Sequence, residues 1–262
     1  MTAPRRRLSS FWIGLALVTG LYLAFLVALL GATATYTSPG RLWDALRTRE
    51  IQYSIGLSLV TCTSSAILAL LLAVPVGYLL ARGRFAGKAL LDAMLDIPIV
   101  LPPMVVGLCL LIFFQTPAGK LIERVVPFTY TVAGVVLAQF VIGAAFAVRT
   151  MRGVFDHLSS RPEDVAMTLG CSRGQAVWLV TLPAARRGMF AAFSIAWARS
   201  LGEFGPILVF AGATPMKTEV LPTSVFMQLS VGRLEAAVAV SLLMVGLALV
   251  VLVAVRLAGE RL

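Results

Sequence analysis

The chain has 262 residues, of which 59% are hydrophobic and only 13% charged, with a formal net charge of +10. Soluble domains carry about 25% charged residues, so a water-soluble fold is excluded and a membrane protein is expected. The basic excess needs no nucleic acid, because Lys and Arg also collect at the cytoplasmic face of a bilayer. Cys62, Cys109 and Cys171 are far apart and His157 is the single histidine, which argues against a disulfide framework or a Cys/His metal site.

A helix needs about 20 apolar residues to cross the hydrocarbon core. Six stretches qualify: residues 11–34, 55–81, 97–114, 131–148, 190–211 and 236–257. The first follows Arg5-Arg6-Arg7, and Ala32-Thr33-Ala34 resembles a signal-cleavage site. Its apolar run is longer than the about 7–15 residues of a signal core, so an uncleaved anchor is expected. With the N-terminus in the cytoplasm, twice as many Lys and Arg fall inside as outside, which predicts an N-in/C-in arrangement. No internal repeat or low-complexity linker divides the sequence. One all-α domain over residues 1–262 is expected, with its membrane core over 50–257.

Pro98, Pro102 and Pro103 interrupt the third stretch near its start. Proline removes a backbone donor and frees carbonyls, and such backbone at membrane depth is tolerated only where it is buried or lines a cavity. Pro102 and Pro103 are therefore candidate gate residues, and Asp96 just before them is read as an interfacial cap.

The segment between the fourth and fifth stretches, about 149–187, is polar and compatible with helix. Idle loops of that length are uncommon. Pro162 suits a first helical turn, where Glu163 and Asp164 complement the positive end of the helix dipole. Gly170 can close that helix in the left-handed conformation, and Ser172 can cap the next. Pro183 disfavours helix through Leu182. Two short helices joined by a sharp turn are expected on the cytoplasmic side.

In the fifth stretch, Arg199 and Glu203 are four residues apart on one helical face. An Arg at a helix centre costs about 2.5–3.5 kcal/mol on insertion scales, so the pair faces protein or water. It either lines a polar pathway through the bundle or forms an internal salt bridge fixing the helix.

The loop resembles the EAA loop of binding-protein-dependent ABC importer permeases, in which an acid, small residues and a glycine precede Ile-x-Leu-Pro. Gly170 and Pro183 have the family's separation, with Val180-Thr181-Leu182 before the proline. The acid is Glu163 or Asp164. Ala166 supplies a small residue, and Val165 stands where the family has alanine. Further blocks are similar to the molybdate, tungstate and sulfate permeases, the last most like the molybdate/tungstate group. They are Pro75-Val-Gly-Tyr-Leu-Leu-Ala-Arg82, Leu101-Pro-Pro-Met-Val-Val-Gly107 and Ala198-Arg-Ser-Leu-Gly-Glu-Phe-Gly205.

The resemblance implies a permease subunit of an oxyanion importer in the inner membrane. Its loop would dock on a cytoplasmic ATPase through Glu163, Asp164, Ala166, Leu169, Gly170, Trp178, Leu182 and Pro183. Trp178 either meets that partner or packs on its own span ends. Implied partners are two ATPase subunits, a second permease copy in a homodimer and an extracytoplasmic binding protein. ATP and magnesium would sit on the ATPase, leaving this chain without a cofactor or catalytic residues. Gly83-Arg-Phe-Ala-Gly87-Lys88 is one residue short of a phosphate loop, lacks its hydroxyl residue, and follows a span instead of a strand. The competing reading is an ion-coupled carrier that needs no ATPase; a membrane enzyme would need a catalytic cluster, and none can be assembled around one histidine.

Overall fold

Residues 10–260 are described in a computed structural model of the chain, and every regular element among them is helical. Chain order begins with α1 (Ser10–Thr35), α2 (Pro39–Arg47) and α3 (Arg49–Arg82), followed by α4 (Lys88–Val100), α5 (Pro103–Gln115) and α6 (Pro117–Glu123). Next come α7 (Val132–His157), α8 (Arg161–Thr168) and α9 (Arg173–Ala176), a π-helical turn (Val177–Thr181), α10 (Leu182–Leu201) and α11 (Gly205–Phe210). The last elements are α12 (Leu221–Ser230) and α13 (Leu234–Glu260). The triplet Arg5-Arg6-Arg7 lies outside the described residues.

Four helices are long and apolar enough to cross a membrane: α1, α3, α7 and α13. They match the first, second, fourth and sixth expected stretches. The third is not one straight helix. α4 and α5 meet at an angle of 110°, and the pair makes a fifth span if counted together. Two consecutive prolines cause the break. Leu101 and Pro102 are extended, with ψ of 139° and 133°, and Pro102 serves as the N-cap of α5. Proline disfavours the helical conformation in the residue before it, and Pro102 and Pro103 offer no N–H to α4. The fifth stretch divides between α10 and α11. Its main helix carries Arg186, Arg187 and Arg199 and is not among those apolar enough to span by composition alone.

The core is the contact of α3 with α7 and α10. Cys62, Ala66, Ala69 and Ala73 of α3 are fully buried against Ala144, Ala147 and Met151 of α7 and Ala192 and Ala196 of α10. In a bilayer, lipid tails are as apolar as leucine, so helices associate through small residues that let backbones approach. Polar links add to this. Ser65 and Ser200 share a hydrogen bond of 3.1 Å, and Gln139 Nε2 donates to the Ser200 carbonyl at 3.2 Å.

Gly77 marks a close approach of α3 to α7. A Cβ there would lie 2.9 Å from the Arg152 backbone nitrogen and from Met151 Cβ. Gly77→Leu must push α3 off α7, at an overpacking cost of about 1–3 kcal/mol. Detergent-extracted variant is expected to melt below wild type and to lose monodispersity. An unchanged melting midpoint would refute this packing account.

Candidate coupling and gating sites

The expected loop is shorter than 149–187, because α7 runs on to His157 and α10 starts at Leu182. Within it, α8 holds Pro162 in its first turn together with Glu163 and Asp164. Its end is a full Schellman motif. Cys171 N–H donates to Ala166 O at 3.1 Å, and Gly170 N–H to Met167 O at 3.1 Å. Gly170 has φ of +98°, the left-handed region that lacks a penalty only for glycine. Ser172 then caps α9 by a capping box with Gln175, the two bonds measuring 3.4 and 2.8 Å.

One expectation is corrected beyond this turn. The second helix does not stop before Pro183 but continues through it into α10. The π-helical turn makes this possible by shifting the hydrogen-bond register, with Leu182 N–H donating to Val177 O five residues back. A π-turn widens the helix locally and relieves the clash that a proline ring makes with the preceding turn of an α-helix. The loop is thereby continuous with α10.

The two candidate acids differ in their surroundings. Asp164 is exposed. Glu163 is only 5% exposed. It accepts from Tyr78 Oη at 2.5 Å and from Thr181 Oγ1 at 3.0 Å. Glu163 thus ties α8 to the end of α3 and to the π-turn. Tyr78 and Thr181 were missed as partners, although both stand inside segments whose family resemblance was noted. Ala166 is half-buried, and Leu182 packs against the main core. Leu169 and Trp178 are 81% and 73% exposed. Trp178 therefore does not bury itself on the ends of its own spans.

The gating candidates form two separate contacts, one at the proline break and one at the Arg199–Glu203 pair. Gly205, two residues after Glu203, lies beside the proline break: a Cβ on it would sit 3.2 Å from Met104 N and 3.5 Å from the Pro103 carbonyl carbon. A Cβ on Gly107 would meet Pro206 Cα at 2.7 Å. α5 and α11 are thus in backbone contact just past Pro102 and Pro103. Arg199 forms an ion pair with Glu203 and lies over the Phe146 ring at 5.1 Å. Glu203 is buried and Arg199 half-exposed. Arg199→Ala would strand a buried carboxylate, a loss of about 3–5 kcal/mol. Adding Glu203→Ala should recover most of the membrane-inserted yield if the pair is structural; transport lost in a well-assembled double variant assigns it to the pathway.

Two ion pairs between helices were not foreseen. Asp96 is not an interfacial cap but pairs with Arg149, and Asp92 pairs with Arg152. The acids are one turn apart on α4, and the arginines nearly so on α7, so two bridges clamp α4 to α7. A groove of about 780 Å³ between α10 and α13 also escaped sequence reading; Arg187, Ser194 and Ala198 line it.

A bundle of membrane-length helices, with a short helix pair running directly into α10, has the architecture of a membrane-embedded protein. The family described as binding-protein-dependent transport system inner membrane component matches residues 73–262, and the chain belongs to it. Among curated proteins, it is 35% identical over 247 residues to the molybdenum transport system permease protein ModB of Mycobacterium tuberculosis, covering 93% of this chain and 92% of the relative. It is 29% identical over 267 residues to the sulfate transport system permease protein CysT of Escherichia coli, covering 99% and 96%. Among solved structures, a bacterial ABC transporter involved in the import of the acidic polysaccharide alginate shares the fold. Its TM-score is 0.75 at 15% identity, covering 97% of each chain. The protein is thus an ABC importer permease, a transport subunit of the inner membrane, and ATP hydrolysis belongs to a separate subunit.

Proposed function

We propose that this chain forms the translocation pathway of an oxyanion importer, for molybdate or tungstate or for sulfate, and that residues 158–181 couple it to the ATPase. The observation that carries the coupling is Glu163, which locks α8 to α3 and to the π-turn while Leu169 and Trp178 stay exposed. A docking element needs that combination: apolar contacts for the partner and a rigid joint to the helices that move. The oxyanion assignment is supported by the molybdenum and sulfate relatives.

The same reading takes residues 1–262 as one transmembrane domain with six spans, α4–α5 and α10–α11 each counting as a broken one, and with N-in/C-in topology. Two copies pair as a homodimer, with two cytoplasmic ATPases and an extracytoplasmic binding protein. ATP and magnesium sit on the ATPases, and this chain holds no cofactor. Pro102, Pro103, Arg199 and Glu203 border the gate, a reading supported by the proline break between α4 and α5 and by Gly205, two residues after Glu203, lying beside Pro103.

Reconstitution in liposomes with the ATPase and binding protein tests the proposal. Uptake of molybdate or sulfate is expected only with ATP present and all three components. Uptake by the permease alone under an ion gradient would sink it and restore the ion-coupled carrier.

A further inference from the structure

The turn after α3 is no nucleotide loop, yet its cations are gathered. Arg84 and Lys88 line a polar cavity of about 360 Å³ together with Arg82 from the end of α3 and Arg173 from α9. None of these four is in an ion pair among the described residues. Glu163 and Asp164 line the same cavity. Both oxygens of Glu163 are already taken by Tyr78 and Thr181. Four cations therefore face two carboxylates and keep a positive excess, with Arg82 Nη2 also donating to Leu158 O at 2.5 Å and Lys88 Nζ to Gly83 O at 3.3 Å.

Arg82 and Arg173 also border a second cavity, apolar and of about 700 Å³. It runs along α3 from Leu79 to Leu70 and Leu71, walled on the other side by Val177, Trp178 and Met189. Leu71 is 67% exposed on this face of α3. From Leu70 to Arg82, at 1.5 Å per residue, the groove is about 18 Å long. One leaflet contributes about 15 Å of hydrocarbon, half of a core about 30 Å thick.

A free inorganic anion would use the cations and leave the groove bare. A neutral lipid would use the groove and leave the cations bare. Only an amphiphile with an anionic head uses both cavities, through the two arginines they share. We infer that α3, the turn after it and α9 bind one anionic phospholipid, its phosphate among Arg82, Arg84, Lys88 and Arg173 and an acyl chain between Leu71 and Leu79. The lipid bridges α3 to α9 beside the Glu163 joint, so the leaflet next to the loop would stiffen the coupling element. The inference rests on α3 spanning the membrane and not on which anion is transported.

Native mass spectrometry of the full-length chain in detergent, with dioleoyl phosphatidylglycerol or dioleoyl phosphatidylcholine added, tests this. Wild type is expected to retain phosphatidylglycerol in preference. Each of Arg84→Gln, Lys88→Gln and Arg173→Gln should weaken that retention about fivefold, near the worth of one cation at a charged membrane surface, and leave phosphatidylcholine unaffected. Arg84 and Arg173 are exposed, so folding, followed by gel filtration, should not change. Inorganic phosphate at millimolar concentration should not displace the lipid. Equal retention of the two lipids by wild type overturns the site. Displacement by phosphate gives the cations to a soluble anion and equally overturns it. Disulfide cross-linking of Leu71→Cys between two chains in native membranes would assign the groove to a second copy, again against the proposal.

Discussion

Replacing Leu169 and Trp178 together by aspartate is expected to abolish ATP-driven uptake while leaving the permease folded and inserted. Both side chains are largely exposed in the chain by itself, so they contribute little to its own stability; surface substitutions of this kind stay within about 0.5 kcal/mol. Under the proposed docking, their value lies in the contact with the ATPase. A buried aromatic or aliphatic anchor at an interface contributes about 2 kcal/mol or more, and about 1.4 kcal/mol is tenfold in affinity. Two anchors replaced by charges should weaken ATPase binding by about a thousandfold. Titration of the detergent-solubilised permease with its ATPase measures this directly. A loss below tenfold would mean that another surface carries the dock.

Glu163→Ala is expected to give a different failure: ATP hydrolysis without transport. Leu169 and Trp178 remain in place, so the ATPase still binds. The joint is lost, because hydrogen bonds to a buried charged group contribute about 1.5–3 kcal/mol each and Glu163 accepts two. Without them α8 is no longer tied to α3 and the π-turn, and movement of the ATPase is not passed on. Asp164→Ala is the matched control, since Asp164 is exposed, and it should transport within about twofold of wild type given the small effect of surface changes. Uptake and hydrolysis measured in one proteoliposome preparation separate the two outcomes. Coupled transport in Glu163→Ala would remove Glu163 from the mechanism.

Gly170→Val should act more mildly than either. A Cβ at this position meets nothing within 4 Å, so the whole effect comes from the positive φ, about 1–2 kcal/mol for a residue with a side chain. The turn should loosen, with a partial fall in coupled uptake and unchanged insertion.

What could be read in advance was local chemistry. The Gly170 turn and the Ser172 cap depend on residues a few positions apart, and both formed. The proline break in the third stretch was also visible, since Pro102 and Pro103 cannot continue a helix, although the 110° bend depends on what α4 and α5 pack against. Which of Glu163 and Asp164 is buried could not be read, because the partner of Glu163 is Tyr78, 85 positions away. The continuation past Pro183 defied a rule that holds for α-helices; a π-turn is a register change with no composition signature. α12 was hidden for a similar reason. It looks like part of a loop, but it is held by Leu221 N–H donating to Ser58 Oγ at 2.9 Å and is buried at its start. The ion pairs of Asp92 and Asp96 join α4 to α7 across more than 50 positions.

The most direct test of the account asks where the loop lies and what covers it. Leu169→Cys, in a chain whose Cys109 and Cys171 are replaced by serine and whose Cys62 is fully buried, can be labelled with a membrane-impermeant maleimide. Labelling is expected in inside-out vesicles, absent in right-side-out vesicles, and blocked when the ATPase is bound. Labelling from the outer side, or labelling that bound ATPase leaves unchanged, would contradict the account.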